Sequence, residues 1–294
     1  MKITLLRSMA FFCALTAILL PLPTSAALTT PAAQKMKAED VLAKHLESIG
    51  PATARADEKS RVIVGTARAT FRARNTSGAI DGRTVVASID RKVLLGMGFT
   101  APTYPGEKFG FDAKKLTIGY IRPGIRSTLG NFIEQHSDIF KEGLMGGTLT
   151  TAWPLLNLQE RGGKLEYSGT DKVNDKLAHK LVYSPKRGSE LKITLYFDAE
   201  SFEHVKTQYD RVISTRLSAG GIDSQARQME TRYKLTETFS GYKKEGDLNL
   251  PHHYLLQLET TKTSGSSLDK WETELTEFHF NQAIDEAGFN VEAN

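Results

Sequence analysis

Few places in this chain put chemistry-bearing side chains close together, and none of them spells a reaction. His252-His253 is the one close histidine pair. Neighbours on a strand face opposite ways, so both cannot easily hold one ion, and one packed and one solvated histidine is the expectation. His136 falls on the apolar side of a helical stretch, where a satisfied core histidine is the ordinary outcome. Glu274 and Glu277, like Asp198 and Glu200, could supply carboxylates, but an exposed strand face or a turn accounts for them. "GMGFTA" (Gly96–Ala101) fits G-x-G-x-x-A, yet Pro102, Pro105 and Gly106 follow where a phosphate-facing helix would have to begin. A strand with close backbone packing suits it better. No G-x-S-x-G, H-E-x-x-H, P-loop or EF-hand pattern occurs. Asn75-Thr76-Ser77 is a formal glycosylation sequon of a kind common by chance.

Cys13 is the sole cysteine of the 294 residues, and it lies in the apolar run Met9–Leu20. Lys2 and Arg7 precede that run and "PLPTSA" follows it. This is the pattern of a secretory signal peptide, residues 1–26, cut near Ala26/Ala27. The run is too short for an ordinary membrane-spanning helix. Cys13 is inside the run rather than just after it, so lipidation there is not expected. A cut chain would keep no cysteine, which excludes disulfides, thiol nucleophiles and cysteine-bound zinc. Removing Lys2 and Arg7 from the 38 basic residues leaves them nearly matched to 34 acidic ones. That balance offers no reason to expect nucleic acid as a partner. No cofactor, metal or catalytic residue is expected, and no transmembrane segment after cleavage.

The elements that must position any site are mostly strands. Residues 27–35 read as a flexible leader. Met36, Val41, Leu42, His45, Leu46 and Ile49 then fall at helical spacing before Gly50-Pro51. Arg61–Arg74 alternates and ends at the turn-rich "NTSGAIDGR", and Thr84–Asp90 reads as the returning strand. Lys115–Ile121, Lys164–Gly169, Lys176–Ser184, Glu190–Asp198, Glu203–Thr215, Glu230–Tyr242, His253–Lys262 and Lys270–Phe280 follow, separated by polar turns, as in an antiparallel meander. One stretch breaks the rhythm. Arg126–Gly143 puts Leu129, Phe132, Ile133, His136, Ile139 and Phe140 three or four residues apart, capped by Ser127 or Thr128.

That stretch runs into "KEGLMGGTLTTAWPLLNL" (Lys141–Leu158), where Gly146-Gly147 interrupt an apolar run holding one of the two tryptophans. Two readings stand. In one, the glycines end a helix and Leu149, Trp153 and Leu155 begin packing the next element. In the other, Gly146 and Gly147 are a hinge. Phe132, Phe140, Leu144, Met145, Trp153 and Leu155 then line an apolar groove or its lid.

Taken together, "AEDVLAKHLESIG" (Ala38–Gly50), "HKLVYSPKRGSELKITLYFDAESFEHVKTQYD" (His179–Asp210) and "WETELTEFHFNQAIDEAGF" (Trp271–Phe289) resemble the outer-membrane lipoprotein-sorting, LolA/LolB-like superfamily. Phe197, Asp198, Glu200 and Ser201 match its strand-end turn, and Leu250-Pro251 its later strands. The resemblance covers roughly residues 38–290. It implies a mainly β fold: a curved antiparallel sheet forming an incomplete half-barrel, with amphipathic helices over its concave face, in one domain over 36–290. It also implies a periplasmic binding protein or carrier, in a Gram-negative-type envelope, for a lipid, a lipoprotein acyl chain or another hydrophobic ligand. Membrane proteins of the envelope are further partners to test. The alternative is a non-enzymatic interaction protein of the envelope whose half-barrel is filled by its own side chains. A hydrolase would need a serine or carboxylate and a histidine to converge from distant parts of the chain, and nothing local supports one.

Overall fold

The order of the strands explains the architecture. The computed structural model describes residues 36–73, 76–217 and 227–293. The expected signal peptide, leader and Asn75 lie outside them, as do residues 218–226. Among the described residues twelve strands form one antiparallel sheet in the order β5-β4-β3-β2-β1-β12-β11-β10-β9-β8-β7-β6, not closed into a barrel. β1 (Ser60–Ala73), β2 (Thr76–Ile89), β3 (Lys92–Ala101), β4 (Tyr104–Phe111) and β5 (Leu116–Ile118) step outward to one edge. β6 (Lys164–Val173) starts again at the opposite edge. β7 (Lys176–Ser184), β8 (Lys192–Asp198), β9 (His204–Leu217), β10 (Arg227–Glu245), β11 (Leu248–Lys262) and β12 (Gly265–Phe280) return until β12 pairs with β1. β5 and β6 are therefore consecutive in the chain but at opposite edges. The connection from 119 to 163 has to cross the sheet, and it does so along the concave side. We call residues 126–163 the strap.

The strap is built of short pieces. These are α3 (Thr128–Gln135), α4 (Asp138–Lys141), 3-10 turns at Gly147–Leu149 and Pro154–Asn157, and α5 (Leu158–Arg161). α1 (Ala38–Ile49) and α2 (Ala52–Asp57) precede the sheet. α1 buries Val41, His45 and Ile49 and starts with Glu39 and Asp40, whose charge suits a helix N-terminus. Alternation sends Val93, Leu95, Met97 and Phe99 of β3, and Tyr254, Leu256 and Leu258 of β11, into the same core as the strap's Leu129, Ile133, Phe140, Leu149 and Trp153.

Three stretches differ from the expectation. Residues 76–83 are strand rather than turn, because the β1–β2 hairpin is long and runs in register from Ser60↔Ile89 to Ala73↔Thr76. β3 and β4 form a full hairpin where the two prolines read as breakers. Pro105 sits in the irregularity between Gly98↔Gly106 and Ala101↔Tyr104, where no ladder bond is lost. The expected helix over 126–143 breaks at His136-Ser137 into α3 and α4. Pro251 is accommodated in β11 because β12 pairs with that strand only from His253 onward.

Candidate functional site

The strap and the concave face under it form the best-built site in the molecule. The backbone–backbone bonds of the strap close within the strap, such as Asn131 N–H to Ser127 O and Leu144 N–H to Ile139 O. Among the described residues it adds no ladder to the sheet. Side chains hold it instead.

All six apolar residues expected at a groove or lid lie here, and all are buried: Phe132, Phe140, Leu144, Met145, Trp153 and Leu155. Phe132 packs on Tyr233 of β10 with ring centres 5.7 Å apart, and Phe140 on Phe109 of β4 at 5.8 Å. Trp153 stacks on the His204 ring at 4.6 Å and donates its indole N–H to His45 Nε2 at 3.1 Å. His45 Nδ1 lies 3.0 Å from Phe202 O, so the neutral ring donates on one side and accepts on the other. Burial holds His45 down to about 4 and His204 well below its ordinary value.

Gly146 and Gly147 are required by their surroundings. Both have positive φ, +79° and +48°. A Cβ on Gly147 would stand 2.8 Å from the His204 ring. They occupy the most heavily pinned part of the strap. Gly146 N–H donates to Glu237 Oε2 of β10 at 2.7 Å. Arg61 of β1, paired with Glu58 and buried, donates to Thr148 O at 2.5 Å. Thr151 N–H donates to Ser88 Oγ of β2 at 3.0 Å.

Two buried carboxylates anchor the strap, and neither was expected. Glu237 is fully buried and accepts three donors: Gly146 N–H, the Tyr254 hydroxyl at 2.8 Å and the Tyr209 hydroxyl at 2.7 Å. Glu107 of β4 accepts from Ser127 Oγ at 2.8 Å and from the Tyr104 hydroxyl at 2.6 Å. Ser127 is also the cap of α3, accepting from Gly130 N–H. Trp271 extends this chain by donating to the Tyr104 oxygen at 2.7 Å. Burial pushes both carboxyls up to about 7, although their hydrogen-bond donors pull the other way. Period two carries the missed signal. Glu237 shares a face with Leu235 and Phe239, and Glu107 with Phe109 and Phe111, so each is a carboxylate in a core register.

The other sequence candidates lie elsewhere. His252 is packed, with Nε2 3.0 Å from Glu245 Oε1, and His253 is half-exposed against Glu274 at 2.6 Å, as strand geometry demands. Glu277 is exposed beside His279. Asp198 caps the β8–β9 turn, accepting from Glu200 N–H and Ser201 N–H at 2.9 Å. His136 departs from the expectation of a satisfied core histidine. It ends α3, where the helix breaks, and its buried Nε2 has no partner among the described residues.

No family model matches the chain, and no curated protein does. Some solved structures align with most of the chain at low identity. A DUF1329 family protein from Desulfovibrio piger is 9% identical, with a TM-score of 0.39 over 87% of this chain and 98% of its own. A putative outer membrane lipoprotein-sorting protein domain from Vibrio parahaemolyticus is 14% identical, with a TM-score of 0.38 over 87% and 98%. The lipoprotein LppX of Mycobacterium tuberculosis is 10% identical, with a TM-score of 0.22 over 84% and 98%.

Proposed function

We propose that the protein is a periplasmic binding protein or carrier for a lipid, a lipoprotein acyl chain or another hydrophobic ligand, and that the first half of the strap is the lid over its site. One observation carries this: the concave face is covered by a segment that shares no backbone ladder with the sheet, so the cover can leave without unzipping a strand.

Magnitudes choose which part leaves. α3 and α4 bury Leu129, Phe132, Ile133, Ile139 and Phe140. At roughly 1.5–3 kcal/mol per side chain, exposing these five costs roughly 8–15 kcal/mol, and lifting them also gives up the bonds of Ser127 to Glu107, Ser189 to Asp138 and Arg91 to Lys141 O. An acyl chain of about 15 methylenes regains about 12 kcal/mol at ~0.8 kcal/mol each. The exchange is near balance, as a reversible carrier needs. Lifting the whole strap would add Leu144, Met145, Leu149, Trp153 and Leu155 and the bonds to Glu237, Arg61 and Ser88. That roughly doubles the cost, beyond what one acyl chain returns.

Phe132 and Phe140 are then lid contacts. Leu144, Met145, Trp153 and Leu155 are the fixed floor, and Gly146 and Gly147 close the end on which the lid turns. Native mass spectrometry of gently purified protein tests the proposal. A bound lipid that leaves on mild detergent treatment supports it; protein that is always lipid-free, and stays so when lipid is offered, opposes it.

The filled concave face favours a second reading, an envelope interaction protein whose core is complete without a ligand. That reading predicts no lipid uptake and a stoichiometric protein partner recovered from envelope extract.

A further inference from the structure

At the end of the half-barrel, the strap meets the turns β2–β3, β4–β5 and β7–β8 around a cleft of about 820 Å³. Six cations line it: Arg91, Lys114, Lys141, Arg161, Lys186 and Arg187. Three carboxylates share it, and two of these are engaged by neutral donors. Asp138 accepts from Ser189 Oγ, and Glu142 from the Tyr183 hydroxyl at 3.0 Å. Among the described residues none of the six cations forms an ion pair. The cleft therefore carries positive charge that the protein leaves unneutralised.

The charge is concentrated at two arginines. Arg91, in the turn after β2, donates to Lys141 O at 3.1 Å. Arg161, at the end of α5, donates to Glu142 O at 3.0 Å. Successive carbonyls thus tether two guanidinium groups side by side and leave most of each fork's donors unused. Burial first, and then the charge of Arg91, hold Arg161 below its ordinary value. A second cleft, of about 410 Å³, shares Arg91, Asn157 and Arg161 and adds Arg55 and Lys59 together with Glu58, which pairs with Arg61, and Asp90. The pair is thus reached from two sides. Two like charges tethered together, with Glu142 and Glu160 near Arg161 but in no ion pair with it, are costly enough that an anion joining them would relieve the repulsion. The planar fork of arginine matches the oxygens of a phosphate group two at a time.

We infer that Arg91 and Arg161, with Asn157, form a binding site for a phosphate group, and that the lysines around them draw it in. The phosphate can be a free anion or the headgroup of an amphiphile. The cleft is larger than one phosphate needs, and the strap itself forms one wall. A headgroup held by Arg91 and Arg161 would belong to the molecule whose tail replaces the lid, Arg91 then giving up Lys141 O as α4 leaves, and that part rests on the carrier reading. The phosphate site alone does not.

The test uses the full mature chain in phosphate-free buffer. Calorimetric titration with inorganic phosphate should show saturable binding. Arg91→Gln with Arg161→Gln should weaken it at least tenfold. Arg161→Lys, which keeps the charge and loses the fork, should weaken it severalfold. Arg68→Gln, on the exposed face of β1, should leave it unchanged. Circular dichroism and the unfolding midpoint report whether each variant is folded. Should the double variant fail to fold, Arg91→Gln alone, in an exposed turn, carries the comparison.

Vesicles of phosphatidylglycerol and of phosphatidylcholine separate the sources. Arginine-dependent preference for phosphatidylglycerol, competed by phosphate, assigns a headgroup. Phosphate binding without that preference assigns a free anion. The site is refuted if folded wild type and variants bind phosphate equally, or if wild type responds to neither phosphate nor vesicles. Phosphate binding with no fatty-acid uptake would leave this site standing while the carrier reading falls.

Discussion

Replacing Glu237 by Gln should change how the stability of this protein depends on pH, in a direction and by an amount that its geometry sets. The buried Glu237 carboxyl has no cation beside it, only three hydrogen-bond donors, and burial raises it from 4.5 to about 7. The folded chain therefore keeps this proton up to about pH 7, whereas the unfolded chain releases it near 4.5. Between those values unfolding releases a proton, so the contribution of Glu237 to stability falls as pH rises and levels off above about 7. The gap, at about 1.4 kcal/mol per pH unit, is worth about 3 kcal/mol. Glu107, raised likewise to about 7, adds a fall of the same sign. His45 and His204 act oppositely. Their folded values lie below the ordinary 6.5, so stability grows as pH rises towards it and is lost in acid. The absolute profile is thus a sum, and the difference between wild type and variant isolates Glu237. Gln can still accept from Gly146 N–H and donate to a tyrosine oxygen. Urea unfolding at pH 4.5 and pH 8 should show the variant gaining about 3 kcal/mol on wild type between the two. A pH-independent difference would refute the account of Glu237 as a carboxyl held by burial.

Further expectations concern the strap. Gly147→Ala should lower the urea midpoint by an amount worth about 1–3 kcal/mol, since a Cβ there meets the His204 ring and φ is positive; an unchanged midpoint would show that the turn yields. Phe132→Ala should cost about 3–5 kcal/mol and speed fatty-acid uptake in stopped flow, whereas Trp153→Ala should cost as much without that gain in rate. Arg61→Ala should cost about 3–5 kcal/mol, because it strands buried Glu58 and frees Thr148 O; Arg61→Ala with Glu58→Ala should recover part of this in the same urea assay.

The strands that could be read from the sequence are those where one face alone is buried. β7 has the expected limits, whereas β10 and β12 contain the expected strands but begin three and five residues earlier. β4 was missed because Pro105 and Gly106 look like breakers until the irregularity that admits them is seen. The break of the expected helix at His136-Ser137 is not recorded in the local periodicity; α3 packs on β5 and, through Phe132, on Tyr233 of β10. Sequence also placed an apolar stretch with two glycines after that helix, but not what lies opposite. Gly147 is glycine because His204, far along the chain, occupies the space a side chain would need. Glu237 stands in the core register of an expected strand without having been singled out, and Glu107 lies in the missed β4. Their partners Ser127 and Gly146 were not legible, because the crossing of the strap sets those pairs. Arg91 and Arg161 come from separate elements and meet only through the carbonyls of residues 141 and 142.

The central claim is that a hydrophobic ligand replaces α3 and α4 on the concave face while the strap from Leu144 to Leu155 stays in place. Amide hydrogen exchange of delipidated protein, measured during titration with a fluorescent fatty acid, tests it most directly. The account predicts saturable uptake, with protection lost over residues 128–141 and kept over 144–153. No saturable uptake, or uptake with exchange unchanged over 128–141, would contradict it.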